Sequence, residues 1–395
     1  MLSDSQVQNI IGRDHQLFED SLSVNHSLIS NSIDGARILV IGAAGSIGSA
    51  VTKLLCRYSP SSIYLLDINE NALASLVRDL RVSQHLSRTT ELKTFLIDVT
   101  SHDFSLFSRK YLNFDYVFNL SAVKHVRSES NVFSLARMIR TNVISTYQVL
   151  SHLSNTSSFK YFCVSTDKAA NPVNLMGFTK LIMEDYCFAN DFSISVSSAR
   201  FANVAFSNGS LLESFLSRFS ARQPLVIPSN ITRFFISQPE SASICLLSAI
   251  SCDHRQILFP NSLSGLRLLS FEEISRSFLS CFNLTPHYYS SFDDAVAHQS
   301  SSTYPVFVSE VDTTGEKPFE EFFSDSDMVS RSIFTDLDIV TKPASAPLIP
   351  FDEFCSSFNQ LIESNPSKSQ LISLLTSVSS SLVYSDFGKY LDDKV

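Results

Sequence analysis

The sequence contains no apolar run near the roughly 20 residues that a membrane-spanning helix needs, so no membrane segment is expected. It has no excess of basic residues. Thirty Lys and Arg face 39 Asp and Glu across 395 residues, a formal net charge of −9, and the cations are scattered. A nucleic-acid footprint is therefore not expected. An anionic substrate must be met by a few placed cations rather than by an overall field. There is no CxxC pair, no Cys/His cluster and no metal-ligand spacing. The seven cysteines are odd in number and read as reduced thiols. The first twenty residues bring acids early and no apolar stretch, which does not suit a secretory signal, so a cytoplasmic protein is expected. No internal repeat is present.

What is there suits a packed globular chain: 44% of residues are hydrophobic and 17% charged, and the length allows one large domain or two lobes. Residues 1–34 read as a helical extension. Short apolar runs then recur at Arg37–Gly42, Ser62–Asp67, Leu92–Asp98, Asp115–Leu120, Lys160–Ser165 and Ile194–Arg200, most of them β-branched or aromatic, as buried parallel strands are. Helical patterns separate them, among them Ile47–Arg57, Asn69–His85, Asn131–Leu153 and Gly177–Asn190. The alternation predicts an α/β fold with a doubly wound parallel sheet over 35–202. Beyond residue 202 the alternation lapses and Pro224, Pro228, Pro239 and Pro260 appear. A smaller α/β substrate lobe is expected over 203–345, with part of it returning to the first domain, followed by a helical tail over 346–395.

Gly42-Ala43-Ala44-Gly45-Ser46-Ile47-Gly48 follows the first expected strand and opens a helix. Gly42 permits a sharp turn, Gly45 lets the backbone approach a pyrophosphate, and Gly48 lets helix and sheet pack closely. The helix N-terminus then offers free N–H groups and partial positive charge to phosphates. The spacing is GxxGxxG, which alone is also compatible with a plain structural turn. Asp67, ending the second strand, can accept the adenosine ribose hydroxyls and repel a 2′-phosphate, favouring NAD over NADP. It could instead only cap the next helix. Asp98 is the candidate for the adenine end. Ser46, Ile47, Val99 and the run Leu120-Ser121-Ala122 complete the expected cofactor surface.

The run Ser165-Thr166-Asp167-Lys168, continuing to Asn171, Asn174, Met176, Gly177 and Lys180, begins where a strand ends, which is where open α/β sheets place ligands. STDKAANPVNLMGFTK resembles the active-site signature of the UDP-N-acetylglucosamine 4,6-dehydratases, which are extended short-chain dehydrogenase/reductases. The resemblance extends over nearly the whole chain. It includes GAAGSIG, NLSAVKHV at Asn119–Val126, RTNVIST at Arg140–Thr146, RFANVAFSNGS at Arg200–Ser210, ITRFF at Ile231–Phe235, DTTGEKPFEEFF at Asp312–Phe323 and the closing GKYLDD. It is strongest to the soluble subgroup associated with legionaminic acid-type sugar synthesis.

The resemblance implies a Rossmann-like fold, an NAD cofactor, a UDP-N-acetylhexosamine substrate and a homo-oligomer. It makes Lys168 the base at sugar C5, Asp167 the acid for the departing C6 hydroxyl, Thr166 a partner of the C4 hydroxyl and Lys180 a ligand of the nicotinamide ribose. The elimination needs Lys168 neutral and Asp167 protonated; burial favours both and an ion pair between them opposes both. Met176 stands where most short-chain dehydrogenases carry tyrosine, and a thioether cannot transfer a proton. Some dehydratases of this family also have methionine there. Asp167, directly or through Thr166, is then expected to take the C4 hydroxyl proton. Lys124, His125, Asn203, Ser207 and Arg233 are the implied substrate contacts, with Arg233 toward the diphosphate. Arg127 replaces the proline of many relatives and receives no role. A sugar-nucleotide 4-epimerase or dehydrogenase on the same fold, or a silent NAD-sensing module, stands beside this reading.

Overall fold

The computed structural model describes residues 2–82, 87, 89–154, 159–189, 194–300, 302–310, 317, 319, 321–343, 347–382 and 384. The closing GKYLDD, residues 312–316, 318 and 320 of the Asp312–Phe323 motif, His85 and Asn190 lie outside them. Three short helices come first: α1 (Asp4–Ile10), α2 (Glu19–Val24) and α3 (His26–Ile33). They are not a detached extension. Leu17, Phe18, Ile29 and Ile33 are buried in the core of the large domain, and Ile10 and Ile11 in that of the smaller lobe.

The parallel strands are β1 (Arg37–Ile41), β2 (Ser62–Asp67), β3 (Glu91–Leu96), β4 (Tyr116–Asn119), β5 (Lys160–Val164) and β6 (Ser195–Ala199). A nine-stranded sheet runs Met328–Arg331, Leu337–Thr341, Gln256–Pro260, β6, β5, β4, β1, β2, β3. Leu337–Thr341 pairs antiparallel with both of its neighbours, Met328–Arg331 and Gln256–Pro260, and the remaining pairs are parallel. β1 and β4 are buried on both faces, which is why they read as continuous apolar runs rather than alternating ones. Between the strands lie α4 (Ser46–Leu55), α5 (Glu70–Val82), α6 (His102–Lys110), α7 (Val132–Ile139), α8 (Ser145–Ser154) and α9 (Leu175–Phe188). The chain turns from β1 outward to β2 and β3 and then back to β4. That reversal opens the crevice in which such sheets bind ligands.

The long helix expected over Asn131–Leu153 is instead α7 and α8 joined by a π-helical turn, Arg140–Ile144. Asn142, fully buried within that turn, accepts the Val123 N–H and donates to Val123 O and Thr179 Oγ1 at 2.9–3.0 Å. The widened turn thus fastens the loop after β4 to α9.

Beyond residue 202 the chain divides between two cores. Helix Gln238–Ser251 and strands Gln256–Pro260 and Leu337–Thr341 join the large domain. Strands Leu225–Pro228, Thr303–Ser309 and Thr285–Tyr289 form a separate parallel sheet, packed with helices Leu211–Ser220 and Phe271–Ser280 around Phe215, Ile227, Phe278 and Val306. Helices Phe351–Glu363 and Lys368–Val378 bury Phe354, Phe358, Leu371 and Leu375 against α7 and α9.

Candidate active site

The glycine turn leaves β1 at Gly42, whose φ is +74° and where an added Cβ would lie 2.8 Å from Ser121 N. At Gly48 an added Cβ would lie 2.0 Å from Gly42 O. Both glycines are therefore demanded by the protein itself. Gly45 differs: a Cβ there would meet only Gly42 O, at 3.4 Å. Gly45 is also the N-cap of α4 and provides no side-chain cap, so the first N–H groups of the helix stay available to an anion. An uncapped helix start beside a glycine that its own chain does not require fits a cofactor pyrophosphate.

Around this turn, Asp67 accepts Ala44 N at 2.8 Å and Asn69 N at 2.9 Å, fixing the end of β2 to the glycine loop. Ser46 Oγ accepts the Asn208 amide of the smaller lobe at 2.9 Å. Ile47 packs half-buried against the large core. Leu120 is buried, Ser121 Oγ donates to Asn119 Oδ1, and Ala122 precedes the Val123 anchor. Asp98 accepts Thr100 N, Thr100 Oγ1 and Arg137 Nη2 at 2.8–3.0 Å, with Val99 buried beside it. Burial opposes the Asp98 charge, but the Thr100 and Arg137 hydrogen bonds outweigh it and hold the carboxyl below its ordinary range. Arg137 carried no signal in the sequence.

At the end of β5 the chain turns through a 3₁₀ segment, Asp167–Ala169, with Thr166 as N-cap. Asp167 is 3% exposed. Its Oδ1 accepts Thr166 Oγ1 at 2.8 Å, Lys168 N at 2.9 Å and Lys168 Nζ at 3.2 Å. Among the described residues its buried Oδ2 has no hydrogen-bond partner, a costly state that a ligand hydroxyl would relieve. Lys168 remains 16% exposed. Gly177 is needed because a Cβ would lie 2.4 Å from Lys168 O; α9 therefore sits directly on the 165–168 turn. Its cap, Asn174, accepts Gly177 N.

Met176 is buried in the α7/α9 core, with its N–H donated to Glu129 Oε1 at 2.7 Å. One turn on, Lys180 Nζ donates to Val164 O at 2.9 Å, and burial pushes its pKa down to about 8. Behind the turn lies a buried ion network. Ser165 Oγ donates to Glu184 Oε1 at 2.6 Å. Arg200 grips Glu184 through two bonds of 3.0 and 2.6 Å and reaches Asp327 at 3.0 Å. Burial works against the Arg200 charge, yet Glu184 and Asp327 hold it above its ordinary value.

From the smaller lobe, Ser207 Oγ accepts Lys124 Nζ at 3.1 Å, and burial lowers the Lys124 pKa against the pull of Glu213. The His125 ring lies where a Cβ on Gly209 would be, at 2.6 Å. Asn203 Nδ2 donates to Phe234 O, and Arg233, nearly buried, donates to Thr232 O at 2.9 Å. The glycine turn, the 120–125 loop, the 165–168 turn and Lys180 thus share the carboxyl edge of the sheet. Asp98 lies at the β3 end of that edge, and Asn203 and Arg233 are on short strands of the facing lobe.

An open, mostly parallel sheet with a glycine turn at its reversal point and helices between its strands defines a Rossmann-like α/β fold. Its likeness to Pen from Bacillus thuringiensis, TM-score 0.64 at 18% identity over 80% of this chain and 92% of that one, shows the same fold. Residues 38–341 match the polysaccharide biosynthesis protein family, and the chain belongs to it. Among curated relatives it is 34% identical over 55% of its length to an uncharacterized membrane protein of Methanocaldococcus jannaschii. It is 29% identical over 62% to the capsular polysaccharide biosynthesis protein CapD of Staphylococcus aureus, and 30% over 53% to a UDP-glucose 4-epimerase of Rickettsia massiliae. The matches span 64%, 40% and 61% of those proteins. Among the described residues no helix is long and apolar enough to cross a membrane.

Proposed function

We propose that the protein dehydrates a UDP-N-acetylhexosamine, in the first instance UDP-N-acetylglucosamine, to UDP-2-acetamido-2,6-dideoxy-hexos-4-ulose, with NAD held on the glycine turn, Asp67 and Lys180. Bound NAD supplies the acceptor for the C4 hydride and its return to C6. The chain supplies the proton chemistry. Asp167 Oδ2, buried and unpartnered, receives the C4 hydroxyl proton, with Thr166 orienting that hydroxyl. Taking this proton cancels the charge that pairs with Lys168. With that charge cancelled, the ammonium, on a side chain 16% exposed, loses a proton more readily, since burial favours the neutral amine. Lys168 then takes the C5 proton, made acidic by the C4 ketone, Asp167 gives its proton to the departing C6 hydroxyl, and the Lys168 ammonium, after exchange with solvent, returns a proton to C5 as C6 regains its hydrogen. One water leaves and the cofactor ends as it began.

The observation that carries this reading is the Asp167–Lys168 pair, set at the end of β5, with one carboxylate oxygen engaged and the other free. The epimerase relatives favour a second reading, C4 inversion. It lacks its usual base here, because Met176 occupies the tyrosine position and its side chain is committed to the core. Mass spectrometry of UDP-N-acetylglucosamine incubated with the protein separates the two. Dehydration gives a product lighter by one water without stoichiometric cofactor turnover. A 4-epimer of unchanged mass, or no product, would reject it.

A further inference from the structure

We propose that the N-terminal segment clamps the substrate strands, with Arg13 and Glu240 as positioning residues for the nucleotide-sugar side of the cleft. The inference rests on the reading above, since it takes Asn203 and Arg233 as substrate contacts.

Between Ile11 and Leu17 the chain passes from one core to the other. Ile10 and Ile11 pack with Phe215, Ile231 and Phe235, whereas Leu17 and Phe18 join the core that holds Ile236 and Ala242. Glu240, 1% exposed, sits at this crossing. Its Oε1 accepts Leu17 N at 2.8 Å and Gln8 Nε2 at 3.2 Å. Its Oε2 accepts Arg13 Nη2 and Ser237 N, each at 2.6 Å. Three of these four donors come from the N-terminal segment. Arg13, whose side chain is 6% exposed, also donates Nη1 to Phe235 O at 3.0 Å and Nε to Gln8 Oε1 at 3.3 Å.

One guanidinium therefore ties the start of helix Gln238–Ser251, a large-domain element, to strand Phe235–Ile236. That strand pairs in parallel with Asn203–Val204 and lies two residues past Arg233. The two side chains expected to meet the nucleotide sugar from the smaller lobe are thus carried on backbone that Arg13 fixes against the domain holding Lys168. A fork of this kind sets direction as well as distance. The matched family region begins at residue 38, so the donors Gln8, Arg13 and Leu17 lie outside it while Glu240 lies within it.

The test uses the full chain loaded with NAD and titrates UDP by calorimetry. In Arg13→Gln the UDP dissociation constant is expected to rise by about tenfold, a size typical for a binding group displaced by a fraction of an ångström. The KM for the sugar nucleotide should rise with it, kcat should stay within about threefold, and NAD affinity should stay unchanged. Arg13→Lys keeps the charge on Glu240 but loses the fork to Phe235, and should fall between; it carries the test if Arg13→Gln does not fold. A folded variant that binds UDP like the wild type overturns the clamp, as does a parallel loss of UDP and NAD affinity. Wild-type protein that binds no UDP brings down the functional reading and the clamp together.

Discussion

Asp167 gives the residue scale its sharpest case, because its two oxygens live in different surroundings. Oδ1 is engaged by three donors of its own turn, while Oδ2 is buried and bare. Asp167→Asn keeps the shape of the turn but can neither take nor return a proton. Its kcat is expected to drop by about 10²–10⁴-fold, with NAD and UDP binding retained; full turnover in this variant would reject the assignment. Lys180 gives a pH-dependent case. Its pKa is lowered to about 8 by burial, so below pH 8 the folded state carries the full cost of a buried ammonium. Between pH 8 and the ordinary lysine value the unfolded chain holds a proton that the folded chain has lost, and stability from this group rises with pH by about 3 kcal/mol. Denaturant melts of wild type and Lys180→Met at pH 7 and pH 10 should therefore show the wild type gaining on the variant as pH rises. Residue types were legible here: Thr166, Asp167, Lys168 and Lys180 stand in one run. The pairing of Asp98 with Arg137, 39 positions away, was not, because nothing local marks an arginine that turns toward a carboxylate from another element.

Among the elements, α4 and its glycine turn set the sharpest contrast. Gly48→Ala would drive a Cβ against Gly42 O, and Gly45→Ala would not. Gly48→Ala should lower the melting temperature and abolish NAD binding together. Gly45→Ala should melt like the wild type yet bind NAD at least about tenfold more weakly, because the new methyl stands where the pyrophosphate must approach. Equal NAD affinity in Gly45→Ala would mean that the cofactor does not use this turn. All six strands expected in the first 200 residues are present within two residues at each end, since buried parallel strands announce themselves as short apolar runs. The π-helical turn at Arg140–Ile144 was hidden inside a helical pattern. One residue of widening barely disturbs the apolar periodicity, although it decides where Asn142 points.

The molecule as a whole is held around its site by buried polar ties that join distant segments. Arg200 links α9, the end of β6 and residues 322–327 through Glu184, Asp327 and Phe322 O, and Glu184 in turn holds Ser165, next to the Thr166–Lys168 turn. Arg200→Met would leave the buried Glu184 with only Lys342 Nζ, 3.8 Å away, as a cation, and a loss of about 3–5 kcal/mol is expected in denaturant unfolding. These partners lie 16 and 127 positions apart, so the network was not legible from pattern or spacing. The division of the chain after residue 202 between two cores was legible only as a lapse in alternation. The central claim, that this assembly removes water across C5 and C6 of an amino-sugar nucleotide, is tested most directly by NMR of UDP-N-acetyl-[4-²H]glucosamine incubated with the protein in ordinary water, and of the unlabelled compound in D₂O. The account predicts a 4-keto product in which the C4 label has moved to C6 in the first case and solvent deuterium sits at C5 in the second. A 4-epimer that keeps its C6 hydroxyl, or a product without solvent label at C5, would contradict it.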